Sequence, residues 1–216
     1  MKKIEYFIKT IICVLVFTAC ESFIADDINR DPNNPSVVTL NAVLPSIEVR
    51  MMDWYGGQTS RVNSMFAQQT EGVARQWSSF NQYTGMTPTR FVTVWDIYYE
   101  DILIEVNTMI ADAQEDGYNH YVGIGQIIKA SAMMSATDWW GDIPNTTAAL
   151  GIDEINPTKD GQASIYAEVF SLLDSGISLL NGSNGGFAPG SDDVIYKGDV
   201  SKWILAANAM KARGHL

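Results

Sequence analysis

The chain has 216 residues, of which 46% are hydrophobic, 11% aromatic and 18% charged. This amount of apolar material can build a substantial core, so a wholly disordered chain is excluded and one or two globular domains are expected. The 25 acidic residues outnumber the 14 basic ones, and the net charge of −11 argues against nucleic acid as a partner because it repels a phosphate backbone.

The N-terminus has the pattern of an export signal. Basic residues precede a short apolar run over 11–17, which is too short to span a bilayer as a helix. Small residues stand immediately before Cys20, as in the lipobox of a bacterial lipoprotein. We therefore predict a signal peptide over 1–19 and acylation of Cys20. An ordinary signal peptide that happens to contain this cysteine stays as the alternative.

The segment that follows the predicted cleavage site is typical of a tether. Its sequence, ESFIADDINRDPNNP, is polar, acidic and rich in Asn and Pro. We predict a lipidated tether over 20–36, because two or more acyl chains on one terminus give stable membrane anchoring without a transmembrane segment. Cys13 leaves with the signal peptide, so no disulfide is expected within the mature chain.

From residue 37 onwards, apolar residues recur at intervals of three and four, which predicts an all-α domain over 37–216. The predicted helices cover 39–54, 59–74, 91–114, 119–137, 160–180 and the stretch from 199 to the end. Asp160 and Asp199 are the expected N-caps of the last two helices. The aromatic segment 75–90 is expected to be a long exposed loop. Paired as antiparallel hairpins, first with second, third with fourth and fifth with sixth, the helices predict a divergent tetratricopeptide-like repeat fold.

The last predicted helix continues to the final residues without a partner helix to cover Trp203 and Met210. A helical solenoid needs a polar terminal cap. We therefore expect this end to expose apolar surface or to belong to a longer protein, of which the chain would be a C-terminally truncated portion.

The most local motif is TDWWGDIP, residues 137–144, where a helix ends on two adjacent indoles. Asp142 is expected to cap backbone amides in the following turn. Neighbouring residues on a helix lie about 100° apart, so one of Trp139 and Trp140 can point outward. The motif is either a helix terminator whose aromatic rings pack against the neighbouring hairpin, or a stacking surface for a sugar ring.

Two further segments complete a pattern with the lipobox, the acidic tether and the TDWWGDIP turn. They are NPTKDGQASIYAEVFSLLDSGISLL, residues 156–180, and YKGDVSKWILAANAMKAR, residues 196–213. Together these features resemble the SusD/RagB family of outer-membrane nutrient-binding lipoproteins. The resemblance implies a surface-exposed, lipid-anchored helical protein with tetratricopeptide-like hairpins. It also implies that the protein captures glycans without catalysis and lies over a SusC-like TonB-dependent transporter.

The resemblance also implies a ligand site in the segment after the second predicted helix, where the family often places an aromatic ring and an amide. Arg75, Trp77, Asn81 and Tyr83 match that arrangement in kind, and Phe80 would extend the aromatic platform. An indole can cover the apolar face of a pyranose while amide and guanidinium groups bond its hydroxyls. The alternative is a loop whose aromatic residue plugs into the core.

Other chemistries have little support in the sequence. His120 and His215 are far apart and the mature chain keeps no free thiol, so no zinc site is expected. Adjacent acidic residues such as Asp192 and Asp193 cannot flank a glycosidic bond as hydrolysis requires, and they lack the ordered spacing of a calcium loop. No cofactor is expected. Glycan capture at the outer membrane is therefore the leading hypothesis, and peptide binding, simple docking of a partner protein and glycoside hydrolysis are the alternatives.

Overall fold

The computed structural model describes residues 38–216, and its compact domain begins at Thr39. The predicted signal peptide over 1–19, the tether over 20–36 and the acylation of Cys20 lie outside the described residues.

The described domain is helical apart from one pair of two-residue strands, as the apolar periodicity predicts. The helices are α1 (Leu40–Gly56), α2 (Gln58–Phe66), α3 (Gln76–Asn81), α4 (92–115), α5 (Asn119–Trp140), α6 (Gln162–Asn181) and α7 (Val200–Gly214). Short 3-10 turns cover Pro88–Arg90 and Gly151–Asp153, and strands β1 (Ile143–Pro144) and β2 (Lys159–Asp160) pair antiparallel.

Helix α4 consists of three consecutive segments with one continuous buried stripe. They are the α-helical Val92–Asp96, the π-helical Ile97–Leu103 and the α-helical Ile104–Glu115. The residues that sequence periodicity places on one face are indeed buried: Val94, Tyr98, Ile102, Val106, Met109 and Ala113. The stripe forms one wall of the main core.

Helix α5 is the centre of the stack and packs between α4 and α6, while α7 packs on α6 and α5. The predicted α4–α5 and α6–α7 hairpins are therefore confirmed. The most extensive helix contact, however, is between α5 and α6, where two glycines meet. A Cβ atom added to Gly176 would lie 2.9 Å from the carbonyl oxygen of Gly123. The absence of side chains at both positions lets the two helix backbones approach closely.

Two carboxylates, one beside β1 and one in β2, make reciprocal hydrogen bonds to backbone amides across the strand pair. The Asp142 Oδ1 atom accepts the amide of Gln162, the first residue of α6, at 2.9 Å. In return, Asp160 Oδ2 accepts the amides of Asn145 and Thr146 at 3.0 and 2.8 Å. The predicted N-cap at Asp160 is therefore wrong, because Gly161 occupies that position and the carboxylate of Asp160 is used across the strand pair. Asp142 caps a helix that begins 20 residues later rather than its own turn.

The N-cap predicted at Asp199 is confirmed. Its side chain accepts the amides of Ser201 and Lys202 at the start of α7, at 3.1 and 3.3 Å. The expectation that Trp203 lacks cover is wrong, since its side chain is only 3% exposed. Its indole packs edge-on against Tyr196 with ring centroids 5.0 Å apart. Apolar exposure on α7 lies instead at Leu205, which is 68% exposed.

The segment between α2 and α4 differs most from its prediction. Helix α2 ends at Phe66 rather than near residue 74, and Gln68 then adopts a positive φ of 55° that a continuing α-helix does not allow. The expected exposed loop over 75–90 contains the helix α3 and a 3-10 turn. A second, smaller hydrophobic core beneath α3 explains why this segment is ordered.

Candidate functional site

The small core beneath α3 is built from aromatic rings contributed by neighbouring elements. Phe80 of α3 lies 6.2 Å from Phe66, 5.8 Å from Trp77 and 5.9 Å from Phe91, measured between ring centroids. Val62 and Met65 of α2 complete the buried set. Aromatic pairs at such distances add favourable edge and offset contacts to the burial of apolar area. This packing holds α3 against α2.

Phe80 is one of the predicted ligand residues, and its burial contradicts the predicted role as an extension of the stacking platform. Its side chain is 2% exposed, and its ring is enclosed by the three aromatic neighbours and by the guanidinium of Arg90. A ring buried on its faces cannot stack on a sugar. Phe80 is instead the aromatic plug that the sequence left as the alternative for this segment.

Trp77 is half-buried and keeps part of its indole accessible between two depressions. One depression, of about 330 Å³, lies toward the 70–74 segment, and the other, of about 350 Å³, lies between α2 and α3. The guanidinium of Arg61 lies 5.3 Å from the centroid of the indole. Trp77 thus combines a partly accessible ring with a neighbouring cation.

The other predicted ligand residues surround Trp77 without lining either depression. Asn81 is four residues from Trp77 on α3 and therefore lies on the same helix face. Arg75 is the residue before α3 and has φ 54° and ψ −139°, a rare backbone conformation for a residue other than glycine. Tyr83 is half exposed, but its hydroxyl donates to the carbonyl of Phe66 at 2.8 Å. The structure therefore brings Trp77 and Asn81 together and leaves Arg75 and Tyr83 at the margins.

The depression between α2 and α3 contains polar residues that sequence reasoning did not select. We call it the α2–α3 depression, and its lining residues are Gln58, Arg61, Gln76, Trp77, Phe80 and Arg90. Arg90 places its guanidinium 5.2 Å from the ring centroid of Phe80 and donates to the Ser79 hydroxyl at 2.8 Å. Gln58 donates to the Arg90 carbonyl at 2.8 Å. The available signal was the spacing of arginines among aromatic residues over 61–90 in an otherwise acidic chain.

A larger groove of about 690 Å³ lies on the other side of α2, where Trp139 and Tyr55 contribute aromatic surface. One end is closed by Asp138, which accepts the Tyr166 hydroxyl at 2.5 Å and pairs with Arg213 at 2.7 Å. Burial, together with a hydrogen bond to Asp138, raises the pKa of Tyr166 to about 12, so this tyrosine stays a neutral donor.

The adjacent indoles of the TDWWGDIP turn separate to different surfaces. Trp139 lines the 690 Å³ groove, whereas Trp140 lines an apolar depression of about 580 Å³ with Trp95. The rings of Trp95 and Trp140 are 5.0 Å apart and inclined at 73°. Trp139 and Trp140 are both half-buried. Each indole of the turn therefore packs on one side and is accessible on the other, so the turn has features of both alternatives that its sequence left open.

The acidic residues considered for calcium are committed to the fold. Asp193 is fully buried, and its two carboxylate oxygens accept the indole of Trp203 at 2.7 Å and backbone amides at 2.8 to 3.0 Å. Asp192 accepts the Tyr121 hydroxyl at 2.7 Å. Oxygens that already accept N–H and O–H donors are poor candidates to coordinate a cation. In the described part of the chain, no group of three or more metal-ligating side chains is present.

Asp193 also lies against a second buried carboxyl group, that of Glu48 in α1. Glu48 Oε2 accepts the amide of Val194 at 2.6 Å. Burial, with the neighbouring Asp193 carboxyl as a further cause, raises the pKa of Glu48 to about 8. Burial alone would also raise the pKa of Asp193, but its amide and indole donors outweigh that effect and lower it. The pair therefore consists of a carboxylate at Asp193 and a protonated acid at Glu48 at neutral pH.

Comparisons with known proteins agree with this fold. Residues 32–216 match the sequence profile of a SusD-like family described as starch-binding and associating with the outer membrane. A search of curated proteins found no significant match.

Solved structures with the same fold include a SusD/RagB family protein from Bacteroides thetaiotaomicron, with a TM-score of 0.75 and 22% identity over 82% of this chain. A chitin-binding protein matches with a TM-score of 0.68 and 24% identity over 82% of this chain. A chitin-binding SusD homologue from Flavobacterium johnsoniae matches with a TM-score of 0.62 and 18% identity over 79% of this chain. The chain spans 38% of the length of each of these proteins. The profile match covers most of the sequence, and the chain therefore belongs to the SusD-like family of outer-membrane-associated starch-binding proteins.

Proposed function

We propose that this protein is a cell-surface lipoprotein that captures oligosaccharides for import by a SusC-like TonB-dependent transporter of the outer membrane, without cleaving them. The observation that carries the proposal is the family match over residues 32–216. Two of the similar solved structures are described as chitin-binding, which supports a saccharide rather than a peptide as the ligand.

Membrane attachment in this proposal depends on the N-terminal segment. Cys20 would be acylated after removal of residues 1–19, and the acidic segment over 20–36 would connect the lipid to the helical domain. Cells fed with a palmitate analogue should label the protein, and Cys20→Ala should abolish that labelling. Labelling that survives the substitution would contradict the lipobox assignment.

The ligand site in this proposal is the surface around Trp77 and Asn81, with Arg75 and Tyr83 as peripheral contacts. A pyranose presents C–H groups on one face and hydroxyl groups at its rim. The accessible part of the Trp77 indole matches the first feature, and the amide of Asn81 on the same face of α3 matches the second. Phe80 contributes to the base of the α2–α3 depression but offers no stacking face, because its side chain is only 2% exposed.

Binding of chitin and starch oligosaccharides, measured by titration calorimetry with wild type and two tryptophan variants, tests this site. Trp77→Ala should weaken binding at least tenfold, because stacking of an aromatic ring on a sugar is lost. Trp139→Ala is the matched control, since it removes a half-buried indole that lines a different groove. If Trp139→Ala weakens binding and Trp77→Ala does not, the ligand occupies the 690 Å³ groove and our site assignment is wrong.

The transporter association is tested separately by purification from outer membranes. The proposal expects a TonB-dependent barrel protein to co-purify with the lipid-anchored protein. Recovery of the protein without such a barrel, under conditions that preserve other outer-membrane complexes, would contradict this part of the proposal.

A further inference from the structure

The α2–α3 depression contains two arginines that have no acidic partner in the described part of the chain. The described ion pairs include Arg50 with Asp101 and Arg213 with Asp138, but none involves Arg61 or Arg90. The chain carries 25 acidic against 14 basic residues. The α2–α3 depression is therefore a positively charged site on a protein whose net charge is negative.

Most of the hydrogen-bond donors of these two arginines have no acceptor among the described residues. Arg61 donates through Nε to the Gly57 carbonyl at 3.2 Å, and Arg90 donates through one terminal nitrogen to Ser79 at 2.8 Å. A guanidinium carries five N–H donors in a planar fork. The remaining donors of both side chains find no acceptor within the described residues, and their geometry suits the two oxygens of a carboxylate.

Each guanidinium is also held in place by an aromatic ring. Arg61 lies 5.3 Å from the Trp77 ring centroid and Arg90 lies 5.2 Å from that of Phe80, while the two rings are 5.8 Å apart. Stacking on a ring restricts the rotamers of a long side chain before a ligand arrives, which reduces the entropy lost on binding. The backbone carbonyl of Arg90 is further fixed by Gln58.

The depression has the size and lining of a site for one sugar ring. Its volume is about 350 Å³, within the range of roughly 300–1,000 Å³ common for ligand pockets. Trp77 supplies an apolar wall, and the exposed amide of Gln76 supplies a donor and an acceptor for hydroxyl groups. Glu71 and Arg61 both line the depression on the other side of Trp77, but none of the ion pairs among the described residues joins them.

We propose that Arg61 and Arg90 bind the carboxylate of a hexuronic acid residue, so that the glycan captured at the α2–α3 depression is an acidic one. This inference rests on the proposed function, and it adds the substrate class and two residues to it. A neutral sugar would displace water from both guanidinium groups and replace it only with neutral acceptors, which is unfavourable. A uronate would instead accept charge-assisted hydrogen bonds from their N–H groups.

Two pairs of matched ligands separate charge from sugar shape. The probes are trigalacturonate and trimannuronate, each compared with its fully methyl-esterified form, which keeps the ring stereochemistry and removes the negative charge. The purified protein should bind at least one acid ten or more times more tightly than its ester. That preference should decline as the salt concentration rises.

Arginine variants then assign the preference to this depression. Arg61→Gln and Arg90→Gln should each weaken binding of the acid about tenfold and binding of the ester by a clearly smaller factor, because the ester can accept only neutral hydrogen bonds from these side chains. Arg50→Gln is the matched control, because it removes the same charge from an exposed ion pair outside the depression. Unfolding curves of the variants identify any loss that is due to instability rather than to the missing guanidinium.

The outcomes distinguish this inference from the proposed function. If an ester binds as tightly as its acid and Trp77→Ala abolishes both, the protein binds glycans at this surface but the acidic class is wrong. If an acid is preferred but Arg50→Gln reduces the preference as much as the other two variants do, the preference comes from the overall charge of the protein. The assignment of the acid site to the α2–α3 depression is then wrong. If no saccharide binds, neutral or acidic, both proposals fail.

Discussion

Replacing Glu48 with glutamine should remove most of the dependence of the domain's stability on pH between 5 and 7. The side chain of Glu48 is fully buried in α1 beside Asp193. Its pKa is about 8 in the folded chain, against an ordinary value of 4.5. Over this pH range the folded state keeps a proton that the unfolded state releases, so the free energy of unfolding falls as the pH rises.

The size of the effect follows from the two pKa values. The stabilisation due to protonated Glu48 is complete below pH 4.5 and is lost as the pH rises through 8. Between pH 5 and pH 7 the loss is about 2–3 kcal/mol, because each pH unit in which one proton separates the two states contributes about 1.4 kcal/mol. Asp193 acts in the opposite direction, because its pKa is lower in the folded chain than in the unfolded chain. Its stabilising effect is present above the unfolded-state pKa and is lost as the pH falls through the folded-state pKa. The wild type should therefore be most stable in mildly acidic solution.

Urea unfolding followed by tryptophan fluorescence at pH 5, 6 and 7 measures the effect. Glu48→Gln should be nearly insensitive to pH, since glutamine keeps an acceptor for the Val194 amide and offers a donor to Asp193. Glu105→Gln is the matched control, because it changes the charge equally at an exposed position of α4 and should retain the wild-type slope. A slope in Glu48→Gln equal to that of the wild type would refute the reasoning.

Two further predictions concern helix packing and capping, and urea unfolding tests both. Gly176→Ala should lower the free energy of unfolding by about 1–3 kcal/mol, because its Cβ atom would lie 2.9 Å from the Gly123 carbonyl oxygen. Gly56→Ala, whose Cβ atom meets nothing within 4 Å, should be neutral or stabilising by up to about 1 kcal/mol, and equal losses in the two variants would contradict the close-contact argument. Asp199→Ala should cost about 1 kcal/mol through loss of the α7 cap, whereas Asp199→Asn keeps the acceptor and should lose much less. An equal loss in both Asp199 variants would show that the side-chain acceptor contributes little.

The helical architecture could be predicted from the sequence because it depends on local periodicity. The stripe from Val94 to Ala113 repeats at three and four residues and is buried along its length. The N-cap at Asp199 was equally predictable, because its acceptor and the amides it binds are two and three residues apart. Signals of this kind depend on few residues and little on the rest of the fold.

The features that were missed depend on partners distant in sequence. Helix α3 is short, and its order comes from packing of Phe80 against rings of other elements rather than from helix propensity. The cap of α6 comes from Asp142, 20 residues before the amide that it binds. Glu48 did carry a signal that could have been read, since it lies on the apolar stripe of α1 between Leu44 and Met51.

The candidate site was only partly predictable for the same reason. Trp77 could be selected because an aromatic residue in a polar segment stands out in the sequence. Arg61 and Arg90 are 29 residues apart and belong to different elements, so only the packing of α2, α3 and the 3-10 turn Pro88–Arg90 brings them into one depression. Phe80 was selected with Trp77 because residue type alone does not distinguish a ring that faces solvent from one that faces the core.

The reciprocal hydrogen bonds made by the carboxylates of Asp142 and Asp160 fix the two ends of the segment 145–158 on the domain. The strand pair and these side-chain acceptors hold the ends of the loop at a fixed separation. That separation therefore does not depend on the residues between the ends. Lengthening a loop whose ends are fixed adds little closure entropy. The tip around Gly151 can therefore acquire or lose residues at small cost, which makes this loop a place where new contacts can be added without rebuilding the helices beneath it.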